Sequence, residues 1–138
     1  MTAFIDTNLF VYFIDAEATQ KRLRAAELIN RLYLANEAVI STQVLQEFYN
    51  TATKKFRLPS GQVMAAAREY ARAQVVQMSQ PIVFAAMQRH VGGLFSFWDA
   101  LIVEAALAAK CQVLYSEDMQ HGFVVDGLLT ITNPFLSA

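Results

Sequence analysis

Short apolar runs alternate along this chain with longer stretches whose apolar residues recur every three or four positions. Ala3-Phe4-Ile5 is a first run, read as a buried strand, and Asp6-Thr7-Asn8 follows it with three residue types that cap helix N-termini. Residues 9–14 then form a short helix. Residues 21–35 carry a helical period in which Leu23, Ala26, Leu28, Ile29, Leu32 and Tyr33 share one face, until Asn36 breaks it. Ala38-Val39-Ile40 is a second strand. Ser41-Thr42 caps a helix running to residue 56, and Leu58-Pro59-Ser60-Gly61 is a turn. Residues 62–73 are alanine-rich and helical, and Val75-Val76 is a third, short strand. Pro81 suits the first turn of a helix that continues to His90, and Gly92-Gly93 ends it. Ser96 caps a helix over 97–110. Val113-Leu114-Tyr115 is a fourth strand ending at Ser116-Glu117-Asp118, and residues 128–132 offer a fifth before Asn133-Pro134 closes the chain.

Strands that alternate with helices imply a parallel sheet covered on both faces. The expected fold is therefore a three-layer α/β/α sandwich around a central, mainly parallel sheet of four to five strands. No repeat, low-complexity segment or linker interrupts the pattern, so residues 1–138 read as one domain. The composition agrees: 55% of residues are hydrophobic and 17% charged, which suits a sheet buried on both sides and leaves apolar surface for a partner.

Charge narrows the chemistry. The net charge of −1 provides no global basic field, so a polyanion must be held by local Lys and Arg or through bound metal. Cys111 stands alone, which excludes an internal disulfide and fits a reducing cytoplasm. With His90 and His121 it makes a poor zinc set. Met-Thr-Ala-Phe-Ile-Asp lacks the basic start of a signal peptide, and no apolar run reaches the roughly 20 residues of a membrane span.

Open parallel sheets bind ligands beyond the carboxyl ends of their strands, and right-handed crossovers bring helix starts to that edge. Asp6 follows the first strand and Asp118 the fourth. Asp99 lies in the first turn of its helix, and Glu47 about two turns into another. Four acids thus converge on one edge, where like charges raise one another's pKa and a hard divalent cation, magnesium or manganese, relieves the repulsion. The chemistry this suggests is metal-assisted phosphodiester hydrolysis by activated water, with no Ser, Cys or His nucleophile. Each acid also has a plainer reading. Asp6 caps a helix, Asp99 stands at capping-box spacing from Ser96, Glu47 borders the stripe of Val44, Leu45, Phe48, Tyr49 and Ala52, and Asp118 sits in a turn. Asn8 and Ser116 either orient a carboxylate or cap their helices, and Glu117 is the alternative to Asp118. The clusters Lys21, Arg22, Arg24 and Lys54, Lys55, Arg57 either hold RNA phosphates or form solvated faces. Phe95, Phe97 and Trp98 either stack on bases or join the core.

Phe-Ile-Asp-Thr-Asn at 4–8, Gln-Glu-Phe at 46–48, Phe-Trp-Asp-Ala-Leu-Ile at 97–102 and Tyr-Ser-Glu-Asp-Met at 115–119 resemble the motifs of PIN-domain proteins, in particular the bacterial VapC-type toxins of toxin–antitoxin pairs. The resemblance spans essentially the whole chain. It implies a PIN-like sandwich and a magnesium- or manganese-dependent endoribonuclease in which Asp6, Glu47, Asp99 and Asp118 take the acidic roles. Asp6, Asp99 and Asp118 would hold metal, with Asn8 and Ser116 in support. It also implies an RNA substrate, a homodimer and a small VapB-like antitoxin that lays an apolar, Arg-bearing tail across the toxin's groove.

Other readings fit less well. A haloacid-dehalogenase-type phosphatase needs a second Asp where Asn8 stands. A receiver domain needs an Asp after the third strand and a Lys near the last. A dinucleotide fold needs glycines, and residues 6–12 hold none. The alternative from another class is a PIN-like module that binds RNA or protein without cutting, against which the complete set of four acids argues.

Overall fold

The central strands form where apolar triplets meet a capping residue. In the computed structural model, which describes residues 1–136, β1 (Ala3–Ile5) is buried along its whole length and Asp6 caps α1 (Thr7–Ile14). The chain continues through α2 (Thr19–Leu34), β2 (Ala38–Ser41), α3 (Thr42–Lys54), α4 (Ser60–Tyr70), β3 (Gln74–Val76) and α5 (Gln80–Val91). It ends with α6 (Phe97–Ala108), β4 (Val113–Tyr115), β5 (Val124–Val125) and β6 (Leu129–Thr132). Strand order is β3-β2-β1-β4-β6-β5, parallel except for the β5–β6 pair. The expected α/β sandwich with a mainly parallel sheet is thus the fold. The sheet has six strands, because a two-residue strand too short to show alternation adds a hairpin at one edge. Asp126 and Gly127 both take positive φ there, 52° and 68°. That is the mirror-image turn which matches the twist of paired strands.

The order of strands decides where a ligand can sit. From β1 the chain steps outward to β2 and β3, then crosses back to β4 on the other side of β1. Right-handed crossovers consequently lay α1–α4 on one face and α5–α6 on the other. The packing follows: α1 lies on α2 and α3, α3 on α4, and α5 on α6. The reversal between β1 and β4 opens a crevice at their carboxyl ends.

Phe4, Ile5, Val39, Ile40, Leu114 and Ile131 are fully enclosed, each contributing about 1.5–3 kcal/mol of apolar burial. Two helical faces differ from expectation. Leu23 is 62% exposed and Ala25 is buried instead, because Ala25, Leu28, Ile29 and Leu32 form the stripe that meets the sheet. On α3, Tyr49 is exposed while the polar Gln43 is buried. Arg89 fastens α5 to its surroundings, donating to Glu104 of α6 at 2.6 Å and to Asp126 of the hairpin turn at 2.8 Å. Among the described residues, no helix is long and apolar enough to cross a membrane.

Candidate active site

Asp6 stands at the switch point because β1 ends there, and its extended backbone (φ −72°, ψ 160°) turns the chain into α1. One carboxylate oxygen accepts the Thr7 N–H at 2.7 Å and the other the Ser116 hydroxyl at 2.7 Å. Ser116 follows β4, the neighbour of β1, and its Oγ also accepts the Asp118 N–H at 3.2 Å. Asn8 donates from Nδ2 to Asp118 Oδ2 at 3.0 Å. The Thr7 hydroxyl donates to Glu47 Oε1 at 2.6 Å, tying α1 to α3. Gln43, one turn before Glu47, reaches both Glu47 Oε2 at 3.4 Å and the Trp98 carbonyl at 3.3 Å, which brings the starts of α3 and α6 together. Asp99 lies in the first turn of α6, its N–H donating to Ser96 Oγ at 3.1 Å.

All four expected acids therefore line one cleft of about 510 Å³, together with Asn8, Gln43, Trp98 and Lys55. Glu117 does not. It turns away to accept the Tyr12 hydroxyl at 2.8 Å and to pair with Lys21 at 2.9 Å. The geometry thus favours Asp118 over its neighbour. Ser116 does not line the cleft either but supports it from below, through Asp6. Of the three aromatics weighed for stacking, Trp98 is 64% exposed at the rim, whereas Phe95 and Phe97 pack against buried residues. Thr7 and Gln43 were not anticipated as site residues. Their position in the first turn after a strand at the carboxyl edge was the available signal.

Burial drives the electrostatics. Asp6 is pushed up from 3.8 to about 7, chiefly by loss of solvent. The Ser116 and Thr7 hydrogen bonds hold it down, and the Glu47 and Asp118 charges push it further up. Asp99 is raised as well, first by burial, against its Ser96 bond, and then by the charges of Asp118 and Glu47. None of the four acids forms an ion pair among the described residues.

This donor set fits a hard divalent cation. It is all oxygen and negatively charged, and among the described residues the buried Oδ1 of Asn8 and Oε1 of Gln43 have no hydrogen-bond partner. Among the described residues, no three Asp, Glu, His or Cys side chains close into a cage.

Comparison with known proteins bears on both fold and family. The structure resembles a toxin–antitoxin complex from Klebsiella pneumoniae (TM-score 0.71, 16% identity, covering 97% of this chain and 98% of that one). It is also similar to VapBC2 from Rickettsia felis bound to a DNA fragment from its promoter (TM-score 0.64, 20% identity, 96% and 100% covered). A third likeness is to VapC20 of Mycobacterium tuberculosis, a toxin that cleaves the sarcin-ricin loop (TM-score 0.63, 19% identity, 85% and 90% covered). At these identities the likeness establishes a shared fold. No curated protein matches the sequence. The family model of the PIN domain matches residues 3–122, nearly the whole α/β unit and every acid of the cleft, and the chain belongs to the PIN domain family.

Proposed function

We propose that this protein is a divalent-metal-dependent endoribonuclease, the toxin of a VapBC-type pair, in which Asp6, Asp99 and Asp118 hold magnesium or manganese. The observation that carries the reading is Asp6, a buried carboxyl at the switch point with two acids pressing on it and, among the described residues, no ion pair to balance them. Bound there, a divalent cation would neutralise the cluster, make water a better nucleophile and steady charge on the phosphoryl group. The chain's own residues do the rest. Ser116 and the Thr7 N–H hold Asp6 in place. Asn8 orients Asp118 through Oδ2. Glu47, tethered by Thr7 at Oε1, keeps Oε2 with only the 3.4 Å contact from Gln43, and that oxygen accepts the proton shed by the attacking water.

The structural neighbours include toxin–antitoxin complexes, which supports a small antitoxin as partner. So do the exposed Phe84, Met87, Val91 and Leu94 along and just after α5, apolar surface of the kind a partner covers. Homodimerisation and a cytoplasmic location belong to the same reading. The test is cleavage of purified cellular RNA with magnesium, with EDTA, and by Asp99→Asn. Cutting by the parent with magnesium alone is expected. Undiminished cutting in EDTA or by the variant would overturn the assignment.

A further inference from the structure

The cleft is longer than its acids require. Among the described residues, five acids line it, Asp15 included, with a single cation, Lys55. Lys55 forms no ion pair with any of them among the described residues. Its ammonium lies 5.7 Å from the Phe56 ring and is otherwise open. A lone cation beside so much negative charge, yet paired with none of it, is available to an anionic ligand. Lys55 caps the far end of α3, and eight residues at about 1.5 Å each set it roughly 12 Å along the helix from Glu47. That separation suits a phosphate flanking the cut better than the cut phosphate itself.

At the opposite end stands Trp98. Its carbonyl is held by Gln43, twelve residues before Lys55 and so roughly 18 Å from it along α3. The indole is 64% exposed at the rim of the cleft, so its face is open to a ligand. Phe97 packs beside it, centroids 5.3 Å apart and nearly edge-on, which steadies the ring.

Building on the nuclease reading above, which supplies the RNA strand, we infer that Trp98 and Lys55 position it along α3, one unpaired base stacking on Trp98 and a phosphate flanking the cut lying on Lys55. Base stacking asks for unpaired bases and tolerates any sequence. A regular duplex keeps its bases stacked on one another and offers none to the indole. Lys55 is a positioning residue in this scheme, and Trp98 sets the preference for strand over duplex.

Trp98 is the chain's only tryptophan, so its emission reports stacking directly. The probe is a fluorescein-labelled single-stranded RNA of mixed sequence, and the same RNA annealed to its complement, titrated into the Asp6→Asn protein with magnesium present. Anisotropy measures binding while indole emission measures stacking. The single strand should bind and quench Trp98, and the duplex should do neither at the same concentration. Lys55→Ala in that background should weaken binding about tenfold and reduce the slope of log affinity against log salt by about 0.7. Lys55→Arg should restore both. Trp98→Ala should weaken binding by at least about tenfold, with Trp98→Phe between. Strand binding without quenching, equal binding of duplex, or no binding at all overturns the inference. Quenching with Lys55→Ala as tight as its parent overturns the Lys55 assignment. These outcomes are separate from the nuclease reading, which fails instead if Asp6→Asn still cleaves.

Discussion

Replacing Asp6 with Asn is expected to make the metal-free protein more stable above neutral pH, although it removes an acid on which the proposed chemistry depends. In the folded chain the carboxyl is pushed from 3.8 to about 7, first by burial and, after the opposing Ser116 and Thr7 bonds, by the Glu47 and Asp118 charges. In the unfolded chain it returns to its ordinary value. A raised acid means that the folded state holds the proton more tightly than the unfolded state does. The stability this lends is fully present below pH 3.8, falls as pH climbs towards about 7, and stays lost above it. Just over three pH units at about 1.4 kcal/mol each amount to roughly 4 kcal/mol, a large share of a domain's stability of about 5–15 kcal/mol. Asn escapes that loss. Its amide oxygen can accept the Thr7 N–H and its NH₂ can donate to Ser116, whose hydroxyl turns from donor to acceptor. Urea unfolding in EDTA measures the difference, in which titrating groups that do not interact with Asp6 cancel between variant and parent. The variant should exceed its parent by less than about 1 kcal/mol at pH 4 and by roughly 4 kcal/mol at pH 8, on the order of 10 °C in melting temperature. A variant no more stable at pH 8, or a gap that does not change with pH, refutes a buried carboxylate without a counter-charge.

Magnesium or manganese should stabilise the parent by about 2.7 kcal/mol at a free concentration one hundred times its Kd. Thermal melts at pH 8 would register this, and a parent that does not respond to millimolar metal would count against the site. Ser116→Ala removes the hydroxyl that holds Asp6 Oδ2. It should cost about 10–100-fold in metal affinity or cleavage rate, read by metal titration of a protein whose circular dichroism is unchanged. Arg89→Met leaves the half-buried Glu104 without its partner and frees the hairpin turn at Asp126. A loss of about 1–3 kcal/mol is expected by urea unfolding, with the cleft and RNA cleavage unaffected.

How legible the site was in the sequence depended on where each residue sits relative to a break in the pattern. Asp6 and Asp99 occur where an apolar run stops and a helix begins, and chain direction alone carries such positions to the carboxyl edge of a parallel sheet. Glu47 has no such marker. Helical phase leaves it between the core stripe and solvent, and the Thr7 hydroxyl, forty residues away in sequence, together with Gln43 one turn before it, decides which way it faces. Gln43 was invisible for a related reason: a buried polar residue inside an apolar helix face looks like noise until its two partners are known. The pair Glu117 and Asp118 is separated by a turn that two neighbouring acids in sequence do not reveal. The chain bends after β4, where Ser116 Oγ accepts the Asp118 N–H, and that bend turns Asp118 towards Asn8 and Glu117 towards Tyr12 and Lys21. The hairpin of β5 was lost by contrast to brevity, since two residues cannot display a period of two. What sequence withholds about this cleft is thus mainly contact between distant turns, and those contacts hold its carboxylates close with no ion pair among the described residues to neutralise them.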